Sequence, residues 1–114
     1  MKPLKLFVIL AVSVTVMGCR SRVVLVKLIN TSPQPLYTIV VDYPGATFGV
    51  NQLDPGKTYQ YAIKPQNIGR LKIQFTDARG ASHSFIGPVL HNNDEGSLRV
   101  ALTQASASAE PALH

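Results

Sequence analysis

The chain has no tryptophan, a single cysteine and six acidic residues among 114. One cysteine excludes a disulfide within the chain, so an apolar core must hold the fold together. Six acids leave little room for paired carboxylates. Asp54, Asp77 and Asp94 sit at turn signals, Asp42 falls in a strand pattern and Glu110 in a polar tail. No two of them converge by spacing on general acid–base work. The histidines His83, His91 and His114 offer no His-x-x-x-His pair, and no serine sits in a Gly-x-Ser-x-Gly elbow. Gly45, Gly49 and Gly56 are scattered rather than gathered into a phosphate loop. The cluster His91-Asn92-Asn93-Asp94-Glu95 lacks the alternating oxygens and central glycine of a calcium loop and reads as a solvated hairpin loop. These absences point away from catalysis, metals and cofactors.

No apolar run reaches the roughly 20 residues of a spanning helix. The longest stretch, Leu6 to Met17, is closed by Arg20 and Arg22. It follows a short basic start, Met1-Lys2-Pro3-Leu4-Lys5, and ends at a small residue, Gly18. That is the layout of a secretory signal peptide. Directly after it stands the lone Cys19. Val16-Met17-Gly18-Cys19 resembles the lipobox of bacterial lipoproteins. The resemblance implies cleavage after residue 18, acyl chains on Cys19 and a membrane anchor. Two or three chains hold where one is marginal. Arg20 rather than Asp follows the cysteine, so by the same resemblance the outer membrane facing the periplasm is favoured in a two-membrane cell. Loss of residues 1–18 removes Lys2 and Lys5 and reduces the formal charge of +5 to a mild basic excess. Nucleic acid is not an expected partner.

From Val23 onward the apolar period is two. About seven strands are predicted: 23–30, 36–43, a short one near 46–51, 57–64, 70–77, 81–86 and 97–103. Pro44-Gly45, Leu53-Asp54-Pro55-Gly56, Asp77-Ala78-Arg79-Gly80 and Gly87-Pro88 punctuate them. Val24, Val26 and Leu28, then Leu71, Ile73 and Phe75, then Leu98, Val100 and Leu102 form one-sided apolar sets. Short alternating strands with frequent turns predict a small antiparallel two-sheet sandwich over 23–103, preceded by a tether at 19–22. The layout is similar in architecture to immunoglobulin-like and transthyretin-like sandwiches. The Cys-Trp-Cys signature of true immunoglobulin domains is missing. Gln104 to His114 is small, polar and proline-bearing, and reads as a disordered tail.

Four tyrosines, Tyr37, Tyr43, Tyr59 and Tyr61, fall on the inferred inward faces. They are the candidate ligand-binding residues, or else they cap the core with their hydroxyls near water. The expectation is a non-enzymatic envelope lipoprotein. Its sandwich would engage an envelope protein partner, with a glycan, peptidoglycan or small ligand as the alternative.

Overall fold

The computed structural model describes residues 22–114. The expected signal segment 1–18, its lipobox residues Val16, Met17 and Gly18, and Cys19 lie outside the described residues.

Eight strands follow in order: β1 Val24–Asn30, β2 Leu36–Tyr43, β3 Ala46–Leu53, β4 Thr58–Ile63, β5 Gly69–Thr76, β6 Ser82–Leu90, β7 Gly96–Leu102 and β8 Ala107–Leu113. They form two four-stranded sheets, ordered β4-β1-β7-β8 and β3-β2-β5-β6. Every pairing is antiparallel except β1 with β7. This is the all-β two-sheet sandwich that the alternation predicts. In the immunoglobulin partition the first two strands share a sheet. Here β1 and β2 lie in opposite sheets, so the partition is not the immunoglobulin one.

The core follows from the alternation. Val24, Val26 and Leu28 of β1 and Leu98, Val100 and Leu102 of β7 are fully buried, with Val26 beside Leu98, Leu28 beside Val100 and Asn30 beside Leu102 in the parallel register. Leu71, Ile73 and Phe75 of β5 close the cluster from the other sheet. Each such side chain contributes about 1.5–3 kcal/mol on burial, enough in sum to hold a domain without a disulfide. One polar side chain joins them: Asn30 is fully buried. Its Nδ2 donates to Gln34 O at 2.8 Å and Leu53 O at 2.9 Å. Its Oδ1 accepts from the Ser32 N–H and hydroxyl at 2.9 and 2.7 Å.

Three elements differ from the sequence reading. In β2, Leu36 pairs with Leu53 and Ile39 with Val50 in one continuous register, but against β5 the register slips between Tyr37 and Val40. Thr38 takes the extra residue of this bulge at φ +48°, a costly conformation for a β-branched side chain. The bulge resets the phase, so Leu36 and Ile39 both face the core and Tyr37 turns to the outer face beside Gln52 and Thr76. β6 does not stop at Gly87-Pro88. It runs on to Leu90 through a second bulge, opposite Arg70 and Lys72. It is an edge strand, where a proline without an N–H is tolerated.

The largest correction is the tail. Residues 107–113 are the eighth strand, paired along the whole of β7. Thr103 makes the turn: its Oγ1 accepts the N–H of Ser106 at 2.9 Å, and its own N–H reaches Ser106 O at 2.8 Å. Residues without β-branching form a strand here because β7 supplies the hydrogen-bonding template and Ala107, Ala109 and Leu113 pack on the core. Pro111 again sits on an edge.

Strand directions define two poles. The chain enters β1 at a proximal pole with the loops at 44–45, 64–68 and 91–95. The connections at 31–35, 54–57, 77–81 and 103–106 lie at the distal pole.

Two expectations follow. Asn30→Ala strands the Leu53 and Gln34 carbonyls and the Ser32 N–H. It should cost about 3 kcal/mol in urea unfolding, against less than about 0.5 kcal/mol for the exposed Gln52→Ala. Gly96 lies at φ +131°, and a Cβ there would run into the Ala112 carbonyl. Gly96→Ala should therefore cost about 2 kcal/mol or more and speed amide exchange first along β8.

Candidate functional site

The four tyrosines do not act as a group. β4 pairs with β1 so that Tyr59 and Tyr61 stand opposite Leu28 and Val26 on the inward face. β3 and β4 are the neighbouring edges of the two sheets, and Phe48 of β3 closes the seam between them. Its ring lies 4.4 Å from Tyr61, 6.3 Å from Tyr59 and 6.4 Å from Tyr43, centroid to centroid. Burial, with Tyr61 adding, raises the Tyr43 phenol above its ordinary value. Tyr61 keeps 41% of its surface exposed. Tyr37 lies apart, on the outer face. Tyr43, Tyr59 and Tyr61 therefore seal a seam, and Tyr61 also offers part of its ring to solvent.

The seam between β6 and β8 ends at the distal pole in an open groove of about 670 Å³. Gln34, Asp77, Arg79, Ala81, His83 and Gln104 line it. Its charged centre comes from the β5–β6 hairpin. Phe75 pairs with His83, which carries the histidine back beside Asp77. His83 Nε2 and Asp77 Oδ2 are 2.8 Å apart, and the imidazole lies 5.2 Å from the Phe75 ring. Asp77 Oδ1 accepts the N–H groups of Arg79 and Ala81, both at 2.9 Å. The expected hairpin turn is present, with Gly80 at φ +91°. The His83 hydrogen bond, then the Ala81 N–H, hold the Asp77 carboxyl down to about 2 from its ordinary 3.8, against an opposing effect of burial.

Gln104 connects this hairpin to the rest of the pole. Its Oε1 accepts the Ala78 N–H at 2.9 Å, while its Nε2 donates to Ser32 Oγ at 2.9 Å and Gln34 O at 3.2 Å. The groove floor is therefore a set of mutually braced loops. Its chemistry is an anionic carboxylate, an imidazole, exposed Arg79 and two amides, suited to hydrogen bonding with a peptide or other polar partner.

The pairing of Asp77 with His83 is what the residue-by-residue reading missed. The available signal was register: folding the hairpin at 78–80 brings residue 83 back toward 77. The 91–95 segment is a turn closed by Asp94, whose Oδ2 accepts the His91 N–H at 2.8 Å. No three His, Asp or Glu side chains converge among the described residues.

Because the folded-state value of Asp77 is depressed, its stabilisation is present above 3.8 and is lost as pH falls toward about 2. The Asp77→Asn variant should be less stable than wild type at neutral pH. The gap should stay constant down to about pH 4 and shrink as pH approaches 2, as read by urea midpoints. A pH-independent gap would remove the carboxylate from this role.

No family model and no curated protein matches the chain. A solved structure, described as the NMR structure of a protein from Eubacterium rectale, superposes with a TM-score of 0.61 at 16% identity. The match covers 79% of this chain and 88% of that one. At that identity the similarity is one of fold.

Proposed function

We propose that this chain is an exported lipoprotein of a bacterial envelope whose sandwich is a non-enzymatic protein-interaction or assembly module. One observation carries the reading. The only cysteine, Cys19, stands directly after Val16-Met17-Gly18 at the end of an apolar run, and β1 begins five residues later at Val24. An acyl anchor at Cys19 would hold the proximal pole at the membrane and turn the distal groove away from it. By the lipoprotein resemblance, Arg20 after the cysteine favours the outer membrane, facing the periplasm, if the cell has two membranes.

The groove supports binding over chemistry. Asp77 spends its carboxylate on His83 and on two backbone N–H groups, the pattern of a braced hairpin. A glycan or peptidoglycan reading rests on Tyr61, the most exposed aromatic ring. One face of that ring is already stacked on Phe48.

In cells fed labelled palmitate, the wild-type chain should take up label and Cys19→Ala should take up none; continued labelling would exclude Cys19 as the acyl site. A photo-crosslinker at Arg79 should capture one reproducible envelope protein, and the same group at Gln60 on β4 should not. Recovery of peptidoglycan or glycan fragments alone would transfer the function to Tyr61.

A further inference from the structure

The large apolar side chains exposed among the described residues are Tyr61, Ile68, Ile86 and Val89. Scattered exposure of this kind is ordinary. Three of these four, however, lie together. Arg70 pairs with Val89 and Lys72 with Ile86 across β5 and β6. Residues directly opposite share a face, and this one is the outer face of the second sheet, since Leu71 and Ile73 point into the core. Ile68 precedes the strand and lines one depression with Arg70, Lys72 and a single acid, Asp42. Its exposure is 66%, with Ile86 at 58% and Val89 at 38%.

The cations are placed among them. Arg70 Nη1 donates to Gly87 O at 3.0 Å, which fixes the guanidinium over the bulge between Ile86 and Val89. Ion pairs among the described residues join His83 to Asp77 and His91 to Asp94, and neither includes Arg70 or Lys72. Asp42 is opposite Lys72 in register, but its Oδ1 accepts the Thr47 hydroxyl at 2.8 Å, on the side toward β3. The patch begins at the proximal pole. There Arg22, the first described residue, and Lys64 line a second depression.

We propose that this patch is a membrane-contact face. Ile68, Val89 and Ile86 enter the boundary between head groups and acyl chains of an anionic bilayer, and Arg70 and Lys72 engage its phosphates. Apolar area and basic charge on one surface is the composition that interfacial binding uses. An anionic bilayer meets both parts of the patch, the cations through its phosphates and the apolar side chains through its acyl boundary. The orientation rests on the proposed anchor: Cys19 is three residues before Arg22, a reach of about 10 Å at most, so the proximal pole cannot leave the surface.

The missing tryptophan makes the test direct. Ile68→Trp and, separately, Val89→Trp each introduce the sole indole into the acylated full chain, reconstituted in phosphatidylglycerol-containing vesicles with brominated acyl chains. Emission should shift to the blue and fall about two-fold relative to unbrominated vesicles, while Tyr61→Trp on the far edge stays unquenched. Arg70→Glu with Lys72→Glu should abolish the quenching without altering the fold seen by circular dichroism. If the protein floats with the vesicles and both indoles stay unquenched, the contact face is wrong and the anchor stands. If the protein neither takes palmitate nor floats, the anchor is wrong. The face is then judged on added anionic vesicles: charge-dependent quenching supports it, and none overturns it.

Discussion

The fully buried side chain of Asn30 is the point on which the two sheets agree. It ends β1, one of the two central strands of its sheet, and reaches the carbonyl of Leu53, which ends β3 in the other. Its own carbonyl oxygen orders the Ser32 turn that carries the chain across to β2. A buried amide is costly unless its hydrogen bonds are made, and here both ends are used. The crossing is thereby held to one geometry. Everything downstream, including the register of β2 and the position of the 31–35 loop beneath Gln104, inherits it.

The two poles have different chemistry because they are built from different loops. At the distal pole, the side-chain amides of Asn30 and Gln104 bond to backbone of neighbouring segments, and Asp77 braces its own 77–81 turn. The result is a rigid polar groove. The proximal pole and the adjoining outer face carry exposed isoleucine and valine with basic residues between them. With the proposed anchor at one end, the pre-ordered hydrogen-bonding surface at the other would be the part presented to a partner.

Edges divide in the same way. β6 and β8 carry Pro88 and Pro111, and β6 adds a bulge, so both resist strand addition. Between β3 and β4 the seam is instead filled by Phe48 and three tyrosines. The tyrosines identified from alternation as a possible ligand set are thus mostly sandwich closure. Tyr37 leaves the set because one extra residue in β2 reverses the phase, which no period-two count can foresee when the bulging residue is an ordinary threonine.

Local chemistry was legible in the chain itself. Alternation in β1, β5 and β7 determined which faces are buried, since neighbouring side chains of a strand must point to opposite sides. Pro-Gly and Asp-x-x-Gly sequences determined the turns, and the lone cysteine after an apolar run determined the anchor hypothesis. Tertiary structure alone decided the rest. β8 is a strand because β7 lends it a hydrogen-bonding edge, although its own residues have little β preference. Asp77 meets His83, and Ile68 joins Arg70 and Val89, because hairpin register and strand pairing bring them together. Those are properties of two strands at once, and neither strand's sequence contains them.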